Sequence, residues 1–329
     1  MLDQAGDQYL VRPFDVPPAV SALAAIGIAI EQLPPPRPAA PDRTSLPLLT
    51  GPGVIAAAVS TGTLTETIQT LQKLGDTDDG LGSRYYTAPG NALAAGEIAR
   101  RMTDVGLAVW YEDFIAGDGT YATNVVGELP GRDPSKIYLV AAHYDSMSTS
   151  GGNAPGADDN ASGVAAMLEI ARILSAYQLA HPVRFVALTG EEVGFQGAGA
   201  FVARAATTGT SFAAAFNLDA LGWPGRANGL VINGDEASYW IEDTLAKINV
   251  AFGLDEELLI RQNPGIVADD SVLRRAAIPT VLVARALYGE SAIHHTADDV
   301  IEQVDVDLVA SATTLVLLTL GDLVAIYGD

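Results

Sequence analysis

Cysteine is absent from all 329 residues, which excludes disulfides and thiolate chemistry. Aromatic side chains are few, at 7%, although 49% of the chain is hydrophobic, ample for a sizeable core. Basic residues are also short: 18 Lys and Arg stand against 40 Asp and Glu, a net charge of −22. That balance argues against nucleic acid and anionic membrane surfaces as partners. Long apolar runs are lacking near the start, where the stretch Ala19 to Ile30 is too short to span a bilayer. The opening Met1-Leu-Asp-Gln-Ala-Gly-Asp is acidic where an export signal would be basic, so no signal peptide is read in this chain. Both a cytoplasmic protein and a processed exported one remain open on this reading.

Residues 1 to 50 stand apart. "LPPPRPAAP" at 33 to 41 reads as an extended polyproline-type linker, and the whole region as an N-terminal arm or pro-segment remnant. The apolar Ala19–Ile30 stretch is expected to pack on the rest of the chain or on a second copy. Residues 51 to 329 read as one domain with a regular pattern. "TLTE" (Thr63 to Glu66) fits a capping box before a helix, and "NALAAGEIARRMTDVG" (91 to 106) a helix with a glycine stop. "LAVWYEDF", "YATNVVGEL", "KIYLVAAH", "VRFVALT", "SFAAAFNLD" and "PTVLVA" read as strands, with another near 229 to 233. Helices are expected over 161–177, 196–206, 236–249 and 305–326. Apolar strands alternating with helices imply an α/β fold, three layers with a mostly parallel central sheet.

Ligands of such sheets bind outside the carboxyl ends of the strands. His143 and Asp145 end "KIYLVAAH" and follow it; Glu191 and Glu192 follow "VRFVALTG"; Asp219 ends "SFAAAFNLD"; His295 follows "PTVLVA". Asp159, in "GADDNASG", heads the apolar 161–177 helix. Each has a bland reading: Asp158 or Asp159 as a helix N-cap, the doubled glutamate as a solvated loop, Asp219 as a turn residue, His295 as a loop histidine. His181, in "LAHPV", is read as an ordinary loop residue. Their joint placement at one rim of the sheet outweighs these readings. Imidazoles and carboxylates without thiols suit zinc, cobalt or manganese. Five such ligands exceed what one zinc needs, so two ions sharing a carboxylate use them economically, with a further glutamate free to move a proton.

In their order, "AHYDS", "PGADDNASG", "TGEEVGFQGA", "NLDA" and "HTADDV" make the chain similar to the co-catalytic di-zinc aminopeptidase family. This is the secreted bacterial leucine aminopeptidase type, with glutamate carboxypeptidase and glutaminyl cyclase as relatives. "GSRYY" and "NVVGELPG" support the likeness, which spans roughly residues 64 to 326. It implies a zinc exopeptidase (phosphorylase/hydrolase-like) architecture, two Zn2+ per chain, peptide substrates with a free N-terminus, and secretion. It further implies that His143 and Asp219 hold one zinc, Glu192 and His295 the other, and that Asp159 bridges them. Glu191 would be the general base and Asp145 the partner orienting His143. His294 competes with His295, which the His-Thr spacing to Asp299 favours. Calcium is conceivable on so acidic a chain, yet no Asp-rich loop shows a calcium-binding pattern. One departure stands out: "ADDSVL" (268 to 273) puts Asp270 and Leu273 where the family has a histidine and an aromatic, which implies an altered pocket wall. Retention of both His143 and Asp219 favours hydrolysis over single-zinc cyclase chemistry. A carboxypeptidase would need a clamp such as Arg226, Arg261 or Arg285, and a ligand-free receptor-like domain would be expected to have lost some of these positions.

Overall fold

Strands whose side chains are apolar at every position must bury both faces, and the central strands here do so. In the computed structural model, Tyr138, Val140 and Ala142 face one hydrophobic cluster, while Leu139 and Ala141 between them face another. This is the two-residue alternation of a strand covered on both sides. The structure describes residues 2–5, 8–11, 55–75, 82–149, 151–224, 229–262, 268–285 and 291–327. The chain divides into two units, Met1–Arg37 and Pro38–Asp329. Within the first, Leu2–Ala5 and Gln8–Val11 pair as an antiparallel hairpin. The apolar run Ala19–Ile30 and the proline-rich stretch 33–41 lie outside the described residues.

The second unit holds an eight-stranded sheet. Its strands are β1 (Ala108–Ile115), β2 (Tyr121–Leu129), β3 (Tyr138–His143), β4 (Val183–Leu188), β5 (Ala214–Asp219), β6 (Leu230–Asn233), β7 (Leu258–Arg261) and β8 (Thr280–Ala284). Their spatial order is β7-β6-β8-β5-β3-β4-β2-β1. The central run β8-β5-β3-β4 is parallel throughout, with Ala284 level with Asp219 and His143 level with Leu188. β2 and β1 add antiparallel at one side, and β6 pairs antiparallel with β8 at the other. Four neighbouring strands therefore end at the same edge, with β3 between the strands that precede and follow the reversal of order.

Seven α-helices are described: α1 (Thr61–Gln72), α2 (Pro89–Asp104), α3 (Gly163–Leu174), α4 (Gln196–Thr208), α5 (Tyr239–Phe252), α6 (Asp269–Arg275) and α7 (Val306–Leu323). Side chains of α1, α2, α3, α5 and α7 pack with Val140, Phe185, Phe216 and Val283. Those of α4 and α6 cover Leu139, Val186 and Ala215 on the opposite face. The result is the expected α/β/α layering. α7 is long and apolar enough by length and composition to cross a membrane, but it packs on α1, α3 and α5 as a core helix. Its N-cap Asp305 accepts from the Asp307 and Leu308 amides.

Two local expectations change. α1 begins earlier than the Thr63 capping box: Ser60 is the N-cap, its hydroxyl accepting from the Thr63 amide at 3.2 Å. Its own amide is taken by the buried Glu169 carboxylate at 2.8 Å, a tertiary bond that no local pattern announces. The edge strand β7 and the short α6 are additions to the elements read from the sequence.

Candidate metal centre

The strand ends bring the polar residues into one cluster. His143 closes β3 and is 2% exposed. Its Nε2 lies 3.1 Å from Asp159 Oδ1 and 3.5 Å from Asp219 Oδ1, the residue that closes β5. Asp159's other oxygen, Oδ2, lies 3.3 Å from His295 Nε2, which in turn sits 2.7 Å from Glu192 Oε2. One carboxylate thus faces a histidine on each side, with Asp219 beyond the first and Glu192 beyond the second. Glu191 joins His143 and Asp219 in a group whose ligand atoms all lie within 4.8 Å of one another.

Local backbone makes this possible. Gly156 precedes the turn with φ 52°, and Asp159 itself has non-helical φ −109° and ψ 91°. Asp159 does not cap α3: Asn160 Oδ1 accepts the Gly163 amide at 2.9 Å, and the Asp159 carboxylate is turned into the cluster. Asp158, its neighbour, points away and accepts the Gly222 amide at 2.6 Å. Asp145 sits below the cluster, completely buried. Its carboxylate accepts the amides of Glu191 (3.2 Å) and Glu192 (3.3 Å) and approaches His143 Nδ1 at 3.5 Å. Asp145's backbone carbonyl is closer to that nitrogen, at 3.2 Å. Asp145 therefore sets both the histidine and the doubled glutamate.

Both members of the histidine pair lie at the cluster. His294 Nδ1 also reaches Asp159 Oδ2, at 3.0 Å, and the two imidazoles stack at 3.7 Å. His295, with φ 57°, is the one that meets both Asp159 and Glu192. His181 lies elsewhere, its Nδ1 beside the Asp133 carbonyl at 3.0 Å.

Electrostatics show an interior short of positive charge. Burial pushes the Glu191 carboxyl well above its usual range. Burial and the nearby Asp159 charge push Glu192 up to about 7. For His143, burial alone would lower the imidazole, but Asp219 and Glu191 outweigh it and hold it well above the ordinary value. His295 likewise overcomes burial, raised to about 10 by Asp159 and Glu192. Asp159 goes the other way: hydrogen bonds from His143, His294 and His295 overcome its burial and hold it well below the carboxylate range. Glu192 Oε1 is buried without a hydrogen-bond partner, a cost that a cation at this point would remove. Nitrogen and oxygen donors at these separations fit zinc.

Two residues that sequence reasoning did not assign lie here. Asp269, at the start of α6, is buried with both oxygens lacking hydrogen bonds. Burial raises its carboxyl well above the ordinary value. Arg84 is wholly buried, its guanidinium lowered to about 10 by burial despite the charges of Asp299, Asp145, Asp159 and Glu192. Asp270 instead pairs with Arg274 at 2.6 Å, and Leu273 packs in the core with Ala198 and Phe201. The departure in "ADDSVL" is thus partly a core substitution. Of the arginines considered as carboxylate clamps, Arg285 engages Glu256 at 2.8 Å, Arg261 lies in edge strand β7, and Arg226 is outside the described residues.

Residues 124–320 match the sequence family described as Peptidase family M28. The chain belongs to peptidase family M28. Relatives include a "Probable zinc metalloprotease" of Pyrenophora tritici-repentis, 41% identical over 105 residues, covering 30% of this chain and 24% of that protein. The chain thus spans about a quarter of the length of such curated relatives. In fold it resembles BSAP, a zinc aminopeptidase from Bacillus subtilis, with TM-score 0.70 and 17% identity over 81% of this chain and 95% of that one. It also resembles a Bacteroides thetaiotaomicron glutaminyl cyclase, with TM-score 0.66 and 20% identity over 79% and 97% of the two chains.

Proposed function

We propose that this chain is a zinc-dependent aminopeptidase holding two zinc ions. The observation that carries the reading is Asp159, with one oxygen 3.1 Å from His143 and the other 3.3 Å from His295. His143 and Asp219 would hold one ion, Glu192 and His295 the other, and Asp159 both. Membership of the M28 family and relatives named zinc metalloproteases support zinc as the metal. Bound zinc supplies Lewis acidity for the scissile carbonyl and lowers the pKa of water.

The chain's own residues do the rest. Glu191 accepts the proton of the attacking water and returns it to the leaving amine. Its burial, which favours the protonated form, suits a group that must carry a proton between two partners. Asp145 keeps Glu191 and Glu192 in place through their amides and orients His143. The surplus of carboxylates attracts the substrate's free α-ammonium, which selects cleavage at the N-terminus. Export from the cell accompanies this reading, because the motifs resemble those of secreted aminopeptidases.

The test is mass spectrometry of a mixed peptide pool incubated with zinc-loaded protein of measured metal content. Stepwise loss of N-terminal residues from free but not N-acetylated peptides is expected. Trimming from the C-terminus, or cleavage of blocked peptides, would overturn the assignment. The likeness of fold to a glutaminyl cyclase makes one further outcome specific: ammonia loss from a peptide beginning with glutamine, without cleavage, would identify that chemistry instead.

A further inference from the structure

The turn that carries Asp159 is gripped from two sides. On one side stands Arg84. Its Nη1 donates to the Pro155 carbonyl and, at 3.2 Å, to that of Leu71; its Nη2 donates to Gly156 O at 2.8 Å. Its Nε reaches Tyr144 O at 2.8 Å, between His143 and Asp145. Its amide meets Ser146 Oγ at 3.1 Å, and that hydroxyl donates to Ala154 O at 2.6 Å. An arginine that spends its fork on backbone carbonyls is holding a loop in shape. Gly156 leaves room for it: a Cβ there would lie 2.9 Å from Arg84 Nη2 and 2.3 Å from Asp159 O.

On the other side stands Asp299, 2% exposed. Three successive amides converge on it: Ala157 N–H on its carbonyl (3.0 Å), Asp158 N–H on Oδ1 (2.7 Å) and Asp159 N–H on Oδ2 (2.9 Å). Asp299 belongs to the same loop as His295, and its amide donates to Thr296 O at 3.4 Å. It therefore ties the loop that carries the histidine to the turn that carries the bridging aspartate. Arg84 takes the carbonyls of residues 155 and 156, and Asp299 the amides of 157 to 159.

We propose that Arg84 and Asp299 are a positioning pair for Asp159, and that Asp299 in particular sets the spacing between Asp159 and His295. The inference rests on the two-ion reading above. It makes the ion held by Asp159, Glu192 and His295 depend on Asp299 more than the ion held by Asp159, His143 and Asp219 does. The reason is geometric: His143 is fixed by β3 itself, whereas His295 sits in a loop.

The decisive variant is Asp299→Asn. It matches the carboxylate in shape, yet keeps one accepting oxygen and turns an NH2 group toward a peptide N–H. Zinc affinities are measured by competition with a chromophoric chelator, alongside Co(II) absorption spectra and melting temperatures of the metal-free forms. Asp299→Asn should weaken one of the two ions about ten-fold or more, alter the cobalt bands, and leave the other ion bound. Arg84→Met should weaken both, and Arg84→Lys should not restore them, because one ammonium cannot serve four carbonyls. Should Arg84→Met fail to fold, Asp299→Asn decides alone. Wild-type affinities and spectrum in Asp299→Asn would overturn the proposal, as would equal loss of both ions in step with a lowered melting temperature. If the unaltered chain binds fewer than two ions, the two-ion reading fails instead. Amide exchange at Ala157–Asp159 in the metal-free proteins then tests the clamp: faster exchange in Asp299→Asn supports it, and unchanged exchange refutes it.

Discussion

The metal-free protein should lose stability as pH rises from about 4 to about 8, with Asp158 a principal cause. Asp158 is 3% exposed. Burial, reinforced by the charge of Asp299, raises its carboxyl from 3.8 to about 8. Unfolded, it titrates near the ordinary carboxylate value of about 3.9. Between those values the native state holds a proton that the unfolded chain has released. The stabilisation is complete below the unfolded pKa and is lost as pH rises through the folded one. Each pH unit within that window costs ~1.4 kcal/mol, so the step from pH 6 to 8 costs roughly 2–3 kcal/mol. For a domain of this size that corresponds to a fall in melting temperature on the order of 5 °C. Asp270, raised by burial to about 7, adds to the same slope up to that pH. Asp159 has the opposite sign, but it is held well below 3.8, so its window closes near pH 4. The assay is thermal unfolding of chelator-treated protein from pH 5 to 9 at constant ionic strength. Asp158→Asn keeps an acceptor for the Gly222 amide and cannot ionise, so its slope should be shallower by about 1.4 kcal/mol per pH unit. A melting temperature that is level or rising between pH 6 and 8, or an equal slope in Asp158→Asn, would refute the reasoning.

Other perturbations follow from the same geometry. Zinc affinity should rise with pH across the titration of Glu192 at about 7, because bound metal displaces ligand protons; calorimetry showing no proton release would contradict this. Glu191→Gln should lower kcat by roughly 10²–10⁴-fold with zinc content unchanged, and loss of zinc would mark Glu191 as a ligand instead. His295→Ala should lose one ion, whereas His294→Ala should retain both with weaker binding; metal analysis showing the reverse would exchange their roles. Gly163→Ala would place a Cβ 2.5 Å from Leu218 O and 2.4 Å from Asn160 Oδ1. It should cost about 1–3 kcal/mol in chemical denaturation, and an unshifted midpoint would show that the helix start can move.

Local patterns carried much of the architecture. β3, β4, β5 and β8 were legible because strands buried on both faces are mostly apolar, with only Arg184 in β4 and Asn217 in β5 as polar interruptions, and because β3 and β5 end abruptly at His143 and Asp219. That abrupt ending also exposed the cluster, since parallel strands deliver their last residues to one edge. β7 escaped notice because Leu258–Arg261 is only four residues long and half-exposed. α6 has seven residues and opens with two buried acids, the reverse of what burial by composition predicts.

Sequence alone thus determined the layered α/β class, the four parallel strand ends and the set of imidazoles and carboxylates gathered there. These are encoded in runs and periods a few residues long. Only the tertiary structure showed the contacts that distinguish His294 from His295: both reach Asp159 Oδ2, and His295 also lies beside Glu192. It alone showed Ser60 as the cap of α1, held by Glu169 more than a hundred residues away. It alone gave Arg84 and Asp299 their places, since a buried charge takes its meaning from the distant backbone groups it satisfies.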